Sequence, residues 1–307
     1  KEAWSFAVRQ KFRSRTRAQT ASLASHALVL EYAVRWESDH LEEQRRNLMD
    51  MIMQERFMKL WAQYFGKTEL PIAFWYTDDP GGAEKVRPPK VEHKCVIADL
   101  TRARKGASIA LNATAIGCFG GKRYLGFTEE FRPNFEYFLS YGIPGEMEGE
   151  RYKKSPEIVR EVMKIAPHFT APGRFIVFKR WDRIEKSDNP DAVVFFARPD
   201  VLSGLFTLAN YDQVDPNGVF SPFAAGCATI VTYPYLEKDA ECPRAVLGMF
   251  DVSARPCVQE DRLTFAVPMN RCEKMVRNMD ESFLATGSWK KIKKRIMAAT
   301  RRTISSP

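Results

Sequence analysis

The sequence predicts an α/β protein (mixed α+β) with a single compact domain, and three observations lead to this fold class. Short apolar runs of strand length alternate with segments of helical periodicity, and Gly/Pro/Asp turns separate them. Apolar residues make up 45% and charged residues 28% of the 307 residues, proportions that are ordinary for a globular chain. No run approaches the roughly 18 apolar residues that cross a bilayer, so we expect no membrane association.

The elements follow from periodicity and turn signals. In the first helix, apolar residues at i, i+3, i+4 and i+7 form one face: Phe57, Leu60, Trp61 and Tyr64. Helices are predicted at Met53–Phe65, Cys95–Lys105, Glu130–Tyr141, Pro156–Ile165, Val201–Tyr211, Arg271–Leu284 and Trp289–Ala298. Strands are predicted at Pro71–Tyr76, Ala107–Leu111, Phe175–Phe178, Ala192–Ala197, the apolar run Ala228–Tyr233, Ala245–Phe250 and Leu263–Val267.

The two ends of the chain carry its net charge of +9. Residues 1–48 contribute +3 and residues 289–307 contribute +7, which leaves the middle of the chain close to neutral. A face built to neutralise phosphates would be basic within the domain, so nucleic acid is not the partner we expect. The alternative is contact of the basic C-terminal helix and tail, residues 289–307, with nucleic acid or an anionic surface.

The start of the domain is predicted near Met49, because three closely spaced methionines precede the first strong helix. Residues 1–48 are then an atypical basic N-terminal extension, and residues 49–307 form the domain. The alternative is an added helical hairpin within residues 28–46.

A weak internal repeat divides the domain into two related halves. Each half runs from a strand to a helix, then through a polar turn to a Gly-Cys pair, Gly117-Cys118 in the first half and Gly226-Cys227 in the second. Two copies of one unit would share a mixed sheet about a pseudo-twofold axis. We therefore expect the two Gly-Cys turns to lie near each other.

Six cysteines are spread over the chain without a signal peptide or a short paired spacing, which indicates reduced thiols and a cytoplasmic location. A cysteine at a helix N-terminus favours the thiolate, which is a nucleophile and a metal ligand. Three thiolates, Cys95, Cys118 and Cys227, could hold an iron–sulfur cluster with one iron left open. The alternative is that these cysteines pack as small hydrophobic residues, since the chain has no C-x-x-C.

An anionic small-molecule ligand is the second possibility that the sequence raises. The glycines Gly117, Gly120, Gly121 and Gly226 could let main-chain N–H groups converge on an anion. Arg255 follows a strand end, where ligands gather in α/β proteins, and could pair with a carboxylate or phosphate. The alternatives are tight turns at the glycines and an Asx-type turn at Asp251. There is no H-E-x-x-H and no G-x-S-x-G, so neither a zinc protease nor a serine hydrolase is indicated.

Several segments together resemble the domain-of-unknown-function family 169, over about residues 55–300. In the second half these segments are Pro199–Ser203, Gly226–Ile230, Val246–Asp251, Ser253–Pro256, Leu263–Pro268 and Asn278–Phe283. In the first half they are Pro71–Ala73, Cys95 with Ala103–Gly106, and Cys118–Gly121. The resemblance implies a bacterial or archaeal protein without a settled activity, with motif cysteines at Cys95, Cys118 and Cys227. It implies packing or surface positions for Cys242, Cys257 and Cys272.

The leading hypothesis is accordingly a cysteine-ligated metal or iron–sulfur site between the two halves, used in redox chemistry or cofactor handling. The alternative is a non-enzymatic module that binds or senses a small anionic ligand. No motif of the sequence assigns a reaction or an oligomeric state.

Overall fold

An eight-stranded mixed sheet organises the fold, seen here in a computed structural model that describes residues 53–90 and 94–305. The strands are β1 Ile72–Thr77, β2 Glu84–Lys85, β3 Ile109–Leu111, β6 Phe175–Arg180, β7 Ala192–Ala197, β8 Val219–Phe220, β9 Ala245–Gly248 and β10 Leu263–Pro268, in the spatial order β2-β3-β6-β1-β7-β10-β9-β8. A small hairpin stands apart from the sheet, β4 Gly142–Ile143 with β5 Met147–Glu148. The predicted fold class is confirmed.

Helices cover both faces of the sheet. They are α1 (residues 53–65), α2 Val96–Arg104, α3 Phe119–Tyr124, α4 Phe135–Phe138, α5 Pro156–Ile165, α6 Pro199–Ala209, α7 Tyr233–Glu237, α8 Met269–Asn278 and α9 Gly287–Ser305. A π-helical segment, Ala228–Thr232, leads directly into α7, and a 3₁₀ segment, Val252–Cys257, lies between β9 and β10. All of the described residues belong to one compact unit, Met53–Pro307.

Alternation along the strands separates two hydrophobic cores. Val193 and Phe195 of β7 point to the face covered by α1, α6, α8 and α9, which we call the back face. Val194 and Phe196 point to the opposite face, which we call the cysteine face because its core includes Cys227. Successive side chains of a strand lie on opposite sides of a sheet, so a strand buried on both faces is apolar throughout. This explains the continuous run AVVFFA in β7.

The two halves of the sheet have the same topology. In the first half the central strand β1 pairs with β6, β6 with β3, and β3 with the edge strand β2; only the last pair is parallel. In the second half β7 pairs with β10, β10 with β9, and β9 with the edge strand β8, and again only the last pair is parallel. The antiparallel pair β1–β7 joins the halves. The predicted pair of related halves is present in the strand order.

Local chain chemistry accounts for the differences from the predicted elements. The helix predicted at Glu130–Tyr141 is reduced to the four residues of α4, because Pro133 precedes Asn134, whose φ of 58° is left-handed. The apolar run Ala228–Tyr233 is helical, and α9 extends beyond the predicted Ala298. The predicted extension, residues 1–48, lies outside the described residues. Within residues 53–90 and 94–305 no helix has the length and apolarity needed to cross a membrane.

Candidate functional site

Cys95 begins the first helix of the cysteine face. It is the N-cap residue of α2, with the extended backbone (φ −68°, ψ 130°) that a helix start requires, and its side chain is half-buried. At the other end of α2, Gly106 has a φ of 101° and closes the helix. The predicted helix over Cys95–Lys105 is therefore confirmed, with Cys95 at its N-terminal boundary.

Cys118 occupies the same kind of position one element later, as the N-cap of α3. The glycine before it brings this turn against the start of α2. A methyl group on Gly117 would lie 2.7 Å from Cγ of Pro89 and 3.3 Å from the main-chain nitrogen of Lys94. Only glycine permits so close an approach, so Gly117 has a packing role that sets the position of Cys118 beside Cys95.

Cys227 lies in the first turn of a helix that continues through the π-helical segment into α7. Its side chain is 8% exposed and belongs to the core of the cysteine face. Asp251 fixes this helix start, since one carboxylate oxygen accepts from the N–H of Gly226 at 2.8 Å. A π-helical turn is rare and occurs often at functional sites.

The second-half helix also contacts the first half directly. The hydroxyl of Thr232, at the end of the π-helical segment, donates to the carbonyl of Tyr124 in α3 at 2.6 Å. Cys118 and Cys227 thus begin two helices that pack against each other across the boundary between the halves. The expected proximity of the two Gly-Cys turns agrees with this packing.

Cys257 is half-buried and packs against the core of the cysteine face, which agrees with the packing or surface position expected from the resemblance. It ends the 3₁₀ segment Val252–Cys257, which packs against α2. Cys242 is exposed, and Cys272 is buried in the core of the back face, so both agree with the expectation.

The thiols of the cysteine face influence each other electrostatically. The pKa of the Cys95 thiol is raised to about 11, mainly by burial and further by the neighbouring Cys257 and Cys118. Burial raises the pKa of the Cys227 thiol well above its ordinary value, and Cys118 and Cys95 act in the same direction. Burial is the larger cause of both shifts, and the neighbouring thiols add to it. The described part of the chain nevertheless contains no group of three or more His, Cys, Asp or Glu side chains already placed to hold a metal ion.

The guanidinium of Arg255 is occupied by hydrogen bonds to the main chain. Its guanidinium donates to four main-chain carbonyls, those of Arg262 at 2.6 Å, Gln259 at 2.9 Å, Glu260 at 2.9 Å and Met249 at 3.5 Å. These bonds close the loop that carries Cys257. An anionic ligand would have to compete with them for the guanidinium.

The remaining predicted ligand-binding residues also take structural positions. Gly120 and Gly121 lie inside α3, and Gly226 packs against Met249 and Ala254. Asp251 forms the alternative Asx-type turn, because its second carboxylate oxygen accepts from the N–H of Ser253 at 3.0 Å and from its hydroxyl at 2.7 Å.

A buried arginine, which the sequence did not single out, ties the same elements together. Arg104 at the end of α2 donates to Glu69 at 2.5 and 2.9 Å and to the side chain of Gln259 at 2.8 Å. Its guanidinium also stacks over the ring of Phe196, 4.3 Å from the centroid. The loop of the second half is thereby held against the helix of the first half at a second point.

Comparison with known proteins identifies the family of the chain. The sequence model of the domain-of-unknown-function family 169, described as an uncharacterised ArCR, matches residues 62–278. The chain belongs to this family. No curated protein and no solved structure matches the chain. The family 169 match contains all four cysteines of the cysteine face, and it ends before α9 and the basic C-terminal residues.

Proposed function

We propose that this family 169 protein binds a thiolate-ligated metal ion or iron–sulfur cluster where its two halves meet, and uses it in redox chemistry or cofactor handling. Cys95, Cys118 and Cys227 supply the ligands. The observation that carries the proposal is that three cysteines distant in sequence lie at the starts of three helices on one face of one sheet.

The surroundings support a thiolate site. At a helix start the N–H groups and the helix dipole favour a negative charge, but burial raises the pKa of Cys95 and Cys227, so a metal would have to displace the protons of both thiols. The cysteine face is otherwise apolar around them, and its core includes Val96, Ile116, Ile230 and Met249. A water-poor shell of this kind raises the effect of each ligand on a bound metal. Because residues 53–90 and 94–305 hold no three ligands already placed for a metal, binding requires the thiols to move closer together than they stand here.

Anaerobic reconstitution with iron and sulfide, and metal analysis of the purified protein, test the proposal. We expect a brown protein with broad visible absorbance, and a strong loss of that absorbance in Cys118→Ala and Cys227→Ala. Cys242→Ala is the matched control, because this cysteine is exposed and lies outside the site. A wild-type protein that stays colourless and free of bound transition metal after reconstitution would contradict the proposal.

A further inference from the structure

We propose that the solvent side of α9 is a contact surface for the phosphate backbone of duplex nucleic acid. The surface consists of four side chains, which we call the basic stripe: Lys290, Lys291, Lys294 and Arg295. It is independent of the thiolate site and lies beyond residues 62–278, the part of the chain that matches family 169. Net charge alone did not favour this partner, but the arrangement of the charges on the helix does.

The other side of α9 is fixed to the back face of the protein. Trp289 is 5% exposed, and its ring packs edge-on against Phe65 and Phe283, with 6.1 and 5.9 Å between the ring centroids. Trp289 through Nε1 and Lys293 through its ammonium both donate to the carbonyl of Tyr64, at 3.1 and 2.6 Å. This carbonyl lies in the last turn of α1, where the helix dipole favours a cation. These contacts determine which side of α9 faces the solvent.

The period of the helix places the basic stripe on that solvent side. At about 3.6 residues per turn, its members lie about 100° to 240° around the helix axis from Trp289, whereas Lys293 lies about 40° from it. The burial agrees, because all four members of the stripe are exposed and Lys293 is half-buried. Within residues 53–90 and 94–305 no carboxylate forms an ion pair with the stripe. Four unpaired cations therefore face the solvent over about 7.5 Å of helix.

This charge pattern differs from that of the other surface helices. In α5 acids and bases alternate and form two i,i+3 ion pairs, Glu157 with Arg160 and Glu161 with Lys164. By contrast, α9 has no Asp or Glu among its 19 residues. Like charges four residues apart destabilise a helix, and a cation in the first turn opposes the helix dipole. The stripe is thus unfavourable for α9 by itself, and a polyanion that neutralises it would stabilise the helix.

Duplex nucleic acid fits this surface better than a membrane does. A helix that binds a lipid surface inserts its apolar side at the head groups, whereas Trp289 on the apolar side of α9 is buried against the protein. A duplex carries one negative charge per about 1.7 Å of its axis, so several phosphates face a row of cations of this length. Since α9 has no Asn or Gln to pair with adenine, we expect binding through phosphates with little sequence preference.

Fluorescence anisotropy of a short DNA duplex of mixed sequence, titrated with the full-length protein, tests the inference. We expect a Kd of about 10⁻⁴ to 10⁻⁶ M at physiological salt, the usual range for non-specific binding. If each member of the stripe neutralises one phosphate, the logarithm of the association constant falls with the logarithm of the salt concentration with a slope of about −3.6. The affinity then falls about 150-fold between about 50 and 200 mM salt.

Two variants with the same change in net charge show whether the stripe is responsible. The stripe variant is Lys290→Gln, Lys291→Gln, Lys294→Gln and Arg295→Gln, and it keeps good helix formers at all four positions. The control variant is Lys105→Gln, Lys154→Gln, Lys186→Gln and Arg87→Gln, at four exposed residues on other elements. We expect the stripe variant to lose most of the affinity and about 3.6 of the slope, and the control to bind as the wild type does. Equal affinities and equal slopes of the two variants would overturn the inference.

Vesicles of equal parts phosphatidylcholine and phosphatidylserine are the second probe. A wild-type protein that binds these vesicles and not the duplex at low salt would overturn the inference in favour of an anionic membrane, and binding to neither probe would overturn it as well. Circular dichroism shows whether the stripe variant folds. The single variants Lys294→Gln and Arg295→Gln cover the case in which it does not, because each should reduce the slope by about 0.9. An unchanged slope in both single variants would also contradict the inference.

Discussion

The carboxylate of Asp251 holds the second-half cysteines in place, and its removal should destabilise the fold measurably. One oxygen accepts from the N–H of Gly226 at the start of the helix that carries Cys227. The other accepts from the main chain and the hydroxyl of Ser253, in the segment that carries Cys257. Asp251→Ala removes all three bonds at once.

The expected loss of unfolding free energy depends on whether each donor can bond to water once the carboxylate is removed. The N–H of Gly226 is buried, and an unsatisfied buried donor costs about 1–3 kcal/mol. Ser253 is exposed, so its donors turn to water and their loss adds at most about 1 kcal/mol. We therefore expect Asp251→Ala to lower the free energy of unfolding by about 2–3 kcal/mol, which is a fall in Tm of about 4–10 °C for a unit of this size. Asp251→Asn keeps one carbonyl oxygen and should lose about half as much.

Thermal unfolding followed by circular dichroism, together with urea titration, measures this loss on metal-free protein. The control is Asp261→Ala on the same loop, because Asp261 is about half exposed and, within the described part of the chain, its ion pair is with Arg262 at 3.4 Å. We expect the control to change the free energy of unfolding by less than about 0.5 kcal/mol. The reasoning is refuted if Asp251→Ala and Asp261→Ala have the same Tm, since the hydrogen bonds of Asp251 would then contribute nothing to stability.

Three further expectations come from side chains elsewhere in the fold. The pKa of Asp212 is lowered mainly by its hydrogen bond from Arg271, so the stability it contributes is present above about pH 4 and is lost as pH falls through the lowered pKa. In urea titrations, Asp212→Asn should therefore have a lower free energy of unfolding than the wild type at pH 7, and this difference should shrink in acid. A difference that does not change with pH would contradict the ion pair. Arg255→Ala should lower the free energy of unfolding by about 2–3 kcal/mol and leave any thermal shift with phosphate unchanged, whereas a selective loss of that shift in a stable variant would favour the anionic-ligand alternative. Lys179→Met should lower the free energy of unfolding, measured by urea titration, by about 3–5 kcal/mol, because it leaves the buried carboxylate of Asp188 without the Lys179 ammonium. A decrease below about 1 kcal/mol would show that water solvates the ion pair.

The sequence predicted the fold class because its periodicities are strong where the chain is buried on both sides. The run AVVFFA and the helix face of α1 each belong to a core, and each was predicted with nearly correct bounds. The run Ala228–Tyr233 was predicted as a strand and is helical, because a short, mainly apolar run fits a buried strand and a buried helix equally well. Its helical state is set by tertiary packing of Ile230 and Val231 on the cysteine face, which local sequence cannot express.

The relation between the cysteines was predicted only in part, for a related reason. The sequence paired Gly117-Cys118 with Gly226-Cys227, because these pairs look alike in a local window. The strand order instead makes Cys227 the topological equivalent of Cys95, and Cys257 that of Cys118. A glycine next to a cysteine indicates that another part of the backbone or a side chain packs closely at that point. Structural equivalence between the halves depends instead on the order of the strands and helices, which a local window of sequence does not show.

The proposed thiolate site would differ from a local metal motif in what it requires of the fold. A C-x-x-C places two ligands in one turn, so a single segment supplies much of the site. Cys95 and Cys118 belong to the first half and Cys227 to the second, and the β1–β7 pair and the contacts of α2 and α3 join these halves. A metal that bound all three thiolates would add its binding free energy to the docking of the halves, since it would bind the folded arrangement and not the separated one.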